Sequence, residues 1–232
     1  MSEVIKLINQ RIFRTSSIYG VNVSYKLISI GIMWLFTISA LIGISLGYAD
    51  WFIPKTPLNL LIGLVLLFIN VPLVRNRGTL LFIIAFFVGM LVEITGVTTG
   101  QLFGVYEYGS NLGLKIMGVP IMIGVYWAVL VIVTSHMARS VVKSMFKVSL
   151  LGATLMVGLD FFMEQMASSF DFWHFENGLA SLQNYITWFI VSFSLQLLAY
   201  SWLPKYKGNF CIHLYFNQIV FFAVSYFLYS LM

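Results

Sequence analysis

Residues 89–109 read GMLVEITGVTTGQLFGVYEYG. The stretch begins as the apolar interior of a membrane helix and ends as something else. One carboxylate, Glu93, interrupts the apolar run; glycines and threonines follow, then the triplet Tyr106, Glu107, Tyr108. The first half decides the fold, because its composition extends over the whole chain: 60% of the 232 residues are hydrophobic and 9% charged. Soluble domains carry about 25% charged residues, so the solvent of this chain is lipid. The second half raises the question of function. A charge in hydrocarbon costs roughly 2.5–3.5 kcal/mol or more, and such residues usually face the bundle interior.

Seven stretches approach the ~20 apolar residues needed to cross a bilayer, near 27–49, 57–75, 79–98, 119–138, 146–165, 185–203 and 211–231. The expected fold is an all-α, polytopic membrane bundle of about seven transmembrane helices, forming a single integral membrane domain over residues 1–232. Pro54, Pro57, Pro120 and Pro204 fall at helix starts or loops, where a missing N–H is tolerated, and Pro72 kinks or ends the second stretch. Residues 1–26 are polar and basic rather than a cleavable apolar leader, and read as a cytoplasmic basic arm or interfacial helix. The lone Cys211 permits no intrachain disulfide.

Basic residues set the orientation of membrane helices. With the N-terminus in the cytoplasm, Lys6, Arg11, Arg14, Lys26, Arg75, Arg77, Arg139, Lys143, Lys147, Lys205 and Lys207 lie inside, and only Lys55 and Lys115 outside. The C-terminus then falls outside, the expected location is the cell inner membrane, and the net charge of +5 needs no nucleic-acid partner. The acids sort the other way: Asp50, Glu93, Glu107, Asp160, Glu164, Asp171 and Glu176 all fall in the outer half.

Three constellations could carry chemistry. Glu93 lies about a turn inside its helix, followed by Gly96 and Gly100, which permit close backbone approach. In GLDFFMEQM, Asp160 and Glu164 are four apart and share a helix face. Like charges repel there, and a carboxylic acid kept neutral by an apolar site can donate a proton. The connection SSFDFWHFENGLASLQNYITWF mixes aromatics with hydrogen-bonding groups; Asn184 and Trp188 share a face, while Trp173, Phe172 and Phe175 also read as an interfacial aromatic belt. An ordinary interfacial position is the alternative reading for Glu93 and for Glu164; Asp160 lies a turn deeper. His136 and His213 fall on the cytoplasmic side and His174 on the outer, so the three cannot converge. No Walker sequence, dinucleotide fingerprint or Cys/His metal spacing is present. Acid chemistry or proton movement in an aromatic membrane cavity remains.

The segment EITGVTTGQLFGVYEYG, continuing to LG and GVPIMIGVYW (Glu93 to Trp127), resembles the signature of the membrane carotenoid 1,2-hydratases. LDFFMEQM, FWHFENG and LQNYITW resemble the second half of that signature, so the likeness covers roughly residues 90–190. Three positions depart from it: Glu164 and Gln165 stand for aspartate-proline, and Ser181 for a proline ahead of the Gln-Asn pair.

The resemblance implies addition of water across the terminal 1,2 double bond of a linear carotenoid ψ-end (lycopene, γ-carotene or a longer C50 relative), without cofactor or metal. The partners would be the lipid-soluble carotenoid, water and membrane lipid, with a homo-oligomer left open. Protonating the trisubstituted alkene at C2 leaves a tertiary cation at C1, which water captures. An apolar pocket keeps a donor acid neutral, and aromatic faces stabilise the cation; Tyr106, Tyr108, Trp127 and Trp173 are the candidates, with Asn184, Trp188, Gly96 and Gly100 also expected to line the substrate site. Asp160, beside Phe161 and Phe162, is expected as general acid. Glu93, near Thr95, Thr98 and Thr99, is expected as its partner and water-positioning base, with the reverse assignment of the two acids open, and Glu164 is a third catalytic candidate of unassigned role. Three other readings stand beside this one. A lycopene cyclase-like enzyme would capture the same cation with an alkene in a drier pocket. A proton-coupled transporter would need a polar path through the cytoplasmic half, where the third and fifth stretches read as apolar. A structural partner in a pigment assembly would need no chemistry.

Overall fold

The computed structural model describes residues 16–18, 21–75, 77–206 and 208–231. Most of the basic arm, with Glu3, Lys6, Arg11 and Arg14, lies outside the described residues, as do Lys207 and Met232. Of the arm, strands β1 (Ser16–Ile18) and β2 (Val21–Val23) pair antiparallel.

Seven long helices follow: α1 (Tyr25–Ser45), α2 (Thr56–Asn70), α3 (Gly78–Thr99), α4 (Ile121–Val141), α5 (Met145–Ala167), α6 (Leu182–Trp202) and α7 (Phe210–Ser230). A helical turn, Ala49–Phe52, and a 3-10 turn, Ile53–Lys55, lead directly into α2, so that Ala49–Asn70 crosses as one unit. Six of these spans are long and apolar enough to traverse a bilayer. The remaining helix, α6, has the same 21-residue length as α1 but carries Gln183, Asn184 and Gln196. The chain is an all-α polytopic membrane protein.

Local chemistry sets the helix ends. A residue preceding proline avoids the helical region; Val71, before Pro72, is extended (φ −112°, ψ 130°), and α2 stops at Asn70, five residues short of the expected end. Gly100 adopts φ 66° and closes α3, the left-handed cap that glycine takes without penalty. Ser144 and Ser181 cap α5 and α6, their Oγ atoms accepting from the backbone N–H of Lys147 and Asn184.

The mostly buried α4 is the axis of the bundle and packs against α2, α3, α5, α6 and α7, while α1 lies against α2 and α7. In lipid the apolar effect does not drive helices together; close packing and interhelical hydrogen bonds do. Gly89 lets α3 approach α4 so closely that a Cβ there would come within 2.6 Å of the Trp127 side chain. Thr37 Oγ1 donates to Asn217 Oδ1 at 2.9 Å between α1 and α7, and Gln196 Nε2 donates to Thr134 Oγ1 at 2.7 Å between α6 and α4. Such bonds average about 0.6 kcal/mol each. Leu35, Ile38, Ile83, Phe87, Leu91, Ile190 and Phe227 lie exposed on helix flanks, the surface a bilayer covers.

Between α3 and α4 the chain forms β3 (Tyr106–Tyr108), then β4 (Lys115–Ile116) and β5 (Val119–Pro120), which pair with each other. Between α5 and α6 it forms β6 (Trp173–Phe175). β3 and β6 join antiparallel in the register Tyr106↔Phe175, Glu107↔His174, Tyr108↔Trp173. This two-stranded ribbon roofs one end of the bundle.

Candidate active site

The strand under the Tyr-Glu-Tyr triplet explains its spacing. Side chains alternate between faces along a strand, so Tyr106 and Tyr108 turn down into the bundle while Glu107 faces outward. Both tyrosines donate to Glu93 Oε2, at 2.6 and 2.8 Å, and Trp127 Nε1 donates to Oε1 at 2.9 Å. Glu93 is 3% exposed and therefore depends on these three donors. An ionised carboxylate is acceptor-only with about four lone-pair sites, and one on Oε1 remains free. Burial and the neighbouring Glu93 charge raise the Tyr108 phenol well above its ordinary pKa, so both ribbon tyrosines stay donors.

From α5, Asp160 and Glu164 reach the same chamber one turn apart. Asn184 on α6 bridges them: its Nδ2 donates to Asp160 Oδ2 at 3.1 Å and approaches Glu164 Oε1 at 3.5 Å. Trp173 Nε1, on β6, donates to Glu164 Oε2 at 3.0 Å. Asp160 is 1% exposed, and among the described residues only Asn184 hydrogen-bonds to it, which leaves Oδ1 without a protein donor. Ser181, where the resemblance expects proline, holds the first turn of α6 and so the height of Asn184.

Glu93, Asp160, Glu164, Tyr106, Tyr108, Trp173, Asn184 and Trp188 all line a chamber of about 20 Å³, together with Phe103, Ile123, Tyr126, Met163 and Phe175. That is space for about one water, which needs roughly 10–15 Å³ and two to four polar partners. Trp127 stands behind the wall, stacked on Trp188 with ring centres 3.9 Å apart. The two glycines lie off the chamber. Gly96 leaves room for Phe103 and the Tyr106 hydroxyl, since a Cβ would come within 2.5 Å of the Phe103 ring, and Gly100 ends α3.

The neighbours expected to distinguish the two acids lie elsewhere. Thr95, Thr98 and Thr99 donate to carbonyls of their own helix, and Phe161 is exposed. Donor count separates the acids instead: three for Glu93, one for Asp160. Sequence reasoning passed over Tyr126 and Met163, which look like ordinary apolar-helix residues until α4 and α5 are packed.

Outside the chamber, Asp171 clasps the ribbon. Its Oδ2 accepts from the Ser110 N–H at 2.8 Å and from the Ser110 hydroxyl, and its Oδ1 meets His174 Nε2 at 2.9 Å. The Ser110 hydroxyl, then His174, hold the Asp171 carboxyl down at about 2. The histidines do not converge: His174 belongs to this clasp, His213 Nδ1 accepts from Trp34 at 3.3 Å, and His136 packs on Tyr206. Away from the chamber, the interior polar groups of α4, α5 and α6 are Thr134, Ser135, His136, Ser149, Ser192 and Gln196. No carboxylate accompanies them among the described residues.

Seven helices, six of them long and apolar enough to cross a membrane, bring two buried carboxyl groups and a half-buried third under an aromatic roof, and so define an integral membrane protein with an acid chamber at one end. Over residues 55–231 the chain matches the family described as carotenoid biosynthesis protein, and it belongs to that family. No curated protein and no solved structure matches it.

Proposed function

We propose that this chain is a carotenoid 1,2-hydratase, a hydro-lyase that adds water to the terminal 1,2 double bond of a linear ψ-end. The observation that carries the reading is the chamber, where two acids with unequal numbers of hydrogen-bond donors face a water-sized space walled by aromatic rings. Asp160 gives its proton to C2 of the alkene, and the π electrons form the new C–H bond. The tertiary cation at C1 lies among Tyr106, Trp173 and Trp188, whose ring faces attract positive charge. Water adds through oxygen to C1, and its surplus proton passes to Glu93, at the lone-pair site on Oε1 left by Trp127. Return of that proton to Asp160 through chamber water resets the site, so the net change is alkene plus water to tertiary alcohol. Asn184 and Glu164 position Asp160. Hydration is favoured over cyclisation by the polar, water-sized chamber, and over proton transport by the absence of carboxylates elsewhere in the described interior.

The test is expression in a lycopene-accumulating host, followed by incubation of membranes in isotopically labelled water without added cofactor. A 1-hydroxy carotenoid carrying the label is expected. Label from molecular oxygen instead would make the protein an oxygenase, and a cyclic end group would make it a cyclase.

A further inference from the structure

A second, larger cavity of about 470 Å³ lies between α1, α2, α4 and α7. It is of the size of small-molecule sites, roughly 300–1,000 Å³, and its walls are mostly aliphatic and aromatic. At one side Leu35, Phe36, Trp51 and Leu58 are exposed, so the cavity opens laterally where lipid meets the bundle. At the other side it ends on Ile123, Tyr126, Met163 and Trp173, the same four residues that wall the acid chamber. The two spaces are thus separated by one layer of side chains. In that layer the Tyr126 hydroxyl donates to Gln218 of α7, so the ring is held from the cleft side.

We propose that this cleft is the binding site of a long, linear isoprenoid polyene, which slides in sideways from the bilayer between α1 and α2. Its terminal alkene reaches Asp160 when Tyr126 and Met163 swing aside. The occupant rests on the function proposed above. The geometry itself calls for a ligand that is apolar along its length, comes from lipid, and is narrow enough at its end to pass one tyrosine and one methionine. A 20 Å³ chamber cannot hold such a molecule, whereas the adjoining cleft can hold the portion behind its tip. Trp51 and Lys55, stacked with the ammonium 3.4 Å from the ring centre, fix the rim of the portal at the acid-bearing end.

The experiment reads binding, not turnover. Full-length protein is purified from a host rich in linear carotenes, and retained pigment is measured by its visible absorbance per protein. Wild type and Asp160→Asn should both retain pigment. Ala40→Trp and Gly63→Phe, which place bulk on two walls of the cleft, should lose about tenfold or more; Gly63→Ala, whose Cβ meets Leu214 at an ordinary 3.5 Å, should not. A second measurement does not depend on bulky variants folding. Leu58→Cys at the portal and Leu91→Cys on the exposed flank of α3 are labelled with a maleimide, the native Cys211 being buried. Bound pigment should slow labelling about tenfold at position 58 and leave position 91 unchanged. Equal retention by the filled variants, or equal labelling with and without pigment, overturns the cleft. Pigment held in the cleft by a wild-type protein that forms no hydroxyl overturns the hydratase reading alone.

Discussion

At the scale of the residue, the proposed chemistry turns on how many donors each carboxyl receives. Glu93 has three and Asp160 one, and nothing else so clearly separates two acids of equal burial. Asp160→Asn keeps shape and the Asn184 contact while removing the transferable proton. We expect hydration to fall by about 10²–10⁴-fold, the usual contribution of a general acid, with insertion and pigment retention intact. Glu93→Gln should lose activity comparably and also weaken folding, because an amide nitrogen facing the donors of Tyr106 and Tyr108 or Trp127 leaves one of them unpaired, at about 1–3 kcal/mol. Product analysis together with thermal unfolding separates the two effects. An Asp160→Asn protein with most of its activity would transfer the donor role to Glu93 or Glu164.

At the scale of the element, the ribbon and the α3–α4 contact hold the site. The Asp171 carboxyl is held below its ordinary value of about 3.9, so it stabilises the fold above that pH and the contribution is lost as pH falls through about 2. The difference in melting temperature between wild type and Asp171→Asn should therefore be present above about pH 5 and close as the pH falls from about 5 to 2. It should be small, because Asp171 is partly exposed and solvent screens it. Gly89→Val should cost more, about 1–3 kcal/mol from overpacking, and should shift Trp127 away from Glu93; tryptophan fluorescence reports the second effect. These elements also mark what the sequence reveals. The seven helices were legible because twenty apolar residues in lipid have almost no other solution, and Pro72 flagged the end of α2. The convergence of Glu93, Asp160 and Asn184 on one chamber was partly legible from spacing along their helices. The ribbon was not: three alternating residues are too short a signal, and β3 finds its partner only 67 residues away. The chamber wall at Tyr126 and the lateral cleft exist only after four helices have packed.

At the scale of the whole molecule, the acids gather at one end. Asp50, Glu93, Glu107, Asp160, Glu164, Asp171 and Glu176 lie toward the ribbon, with Arg77, Arg139, Lys143 and Lys147 toward the opposite loops. We expect the acid end to face outward, as basic residues hold their loops in the cytoplasm. With seven crossings a reporter fused after residue 231 should then be active outside and one fused at the α4–α5 turn inside. The reverse pattern would move the chamber to the cytoplasmic face. A C-terminal reporter found inside, with the other loops unchanged, would mean that one helix, α6 first among them, does not cross.

Tyr106, Tyr108 and Trp173 hang from one ribbon, yet they serve acids on different helices, Glu93 on α3 and Glu164 on α5. This joint suspension has an evolutionary consequence. Tyr106→Phe and Trp173→Phe each delete one donor without changing any charge, and the two indole and phenol groups serve different carboxyls. Were the strands independent, their effects on stability would sum to within about 0.3–0.5 kcal/mol. On a shared ribbon, loosening one anchor lets the other drift, and the double variant should depart from the sum by about 0.5–3 kcal/mol. Heritable change at one acid's partners is then filtered by the state of the other's, so the two halves of the chamber can drift only together, as a single unit of selection.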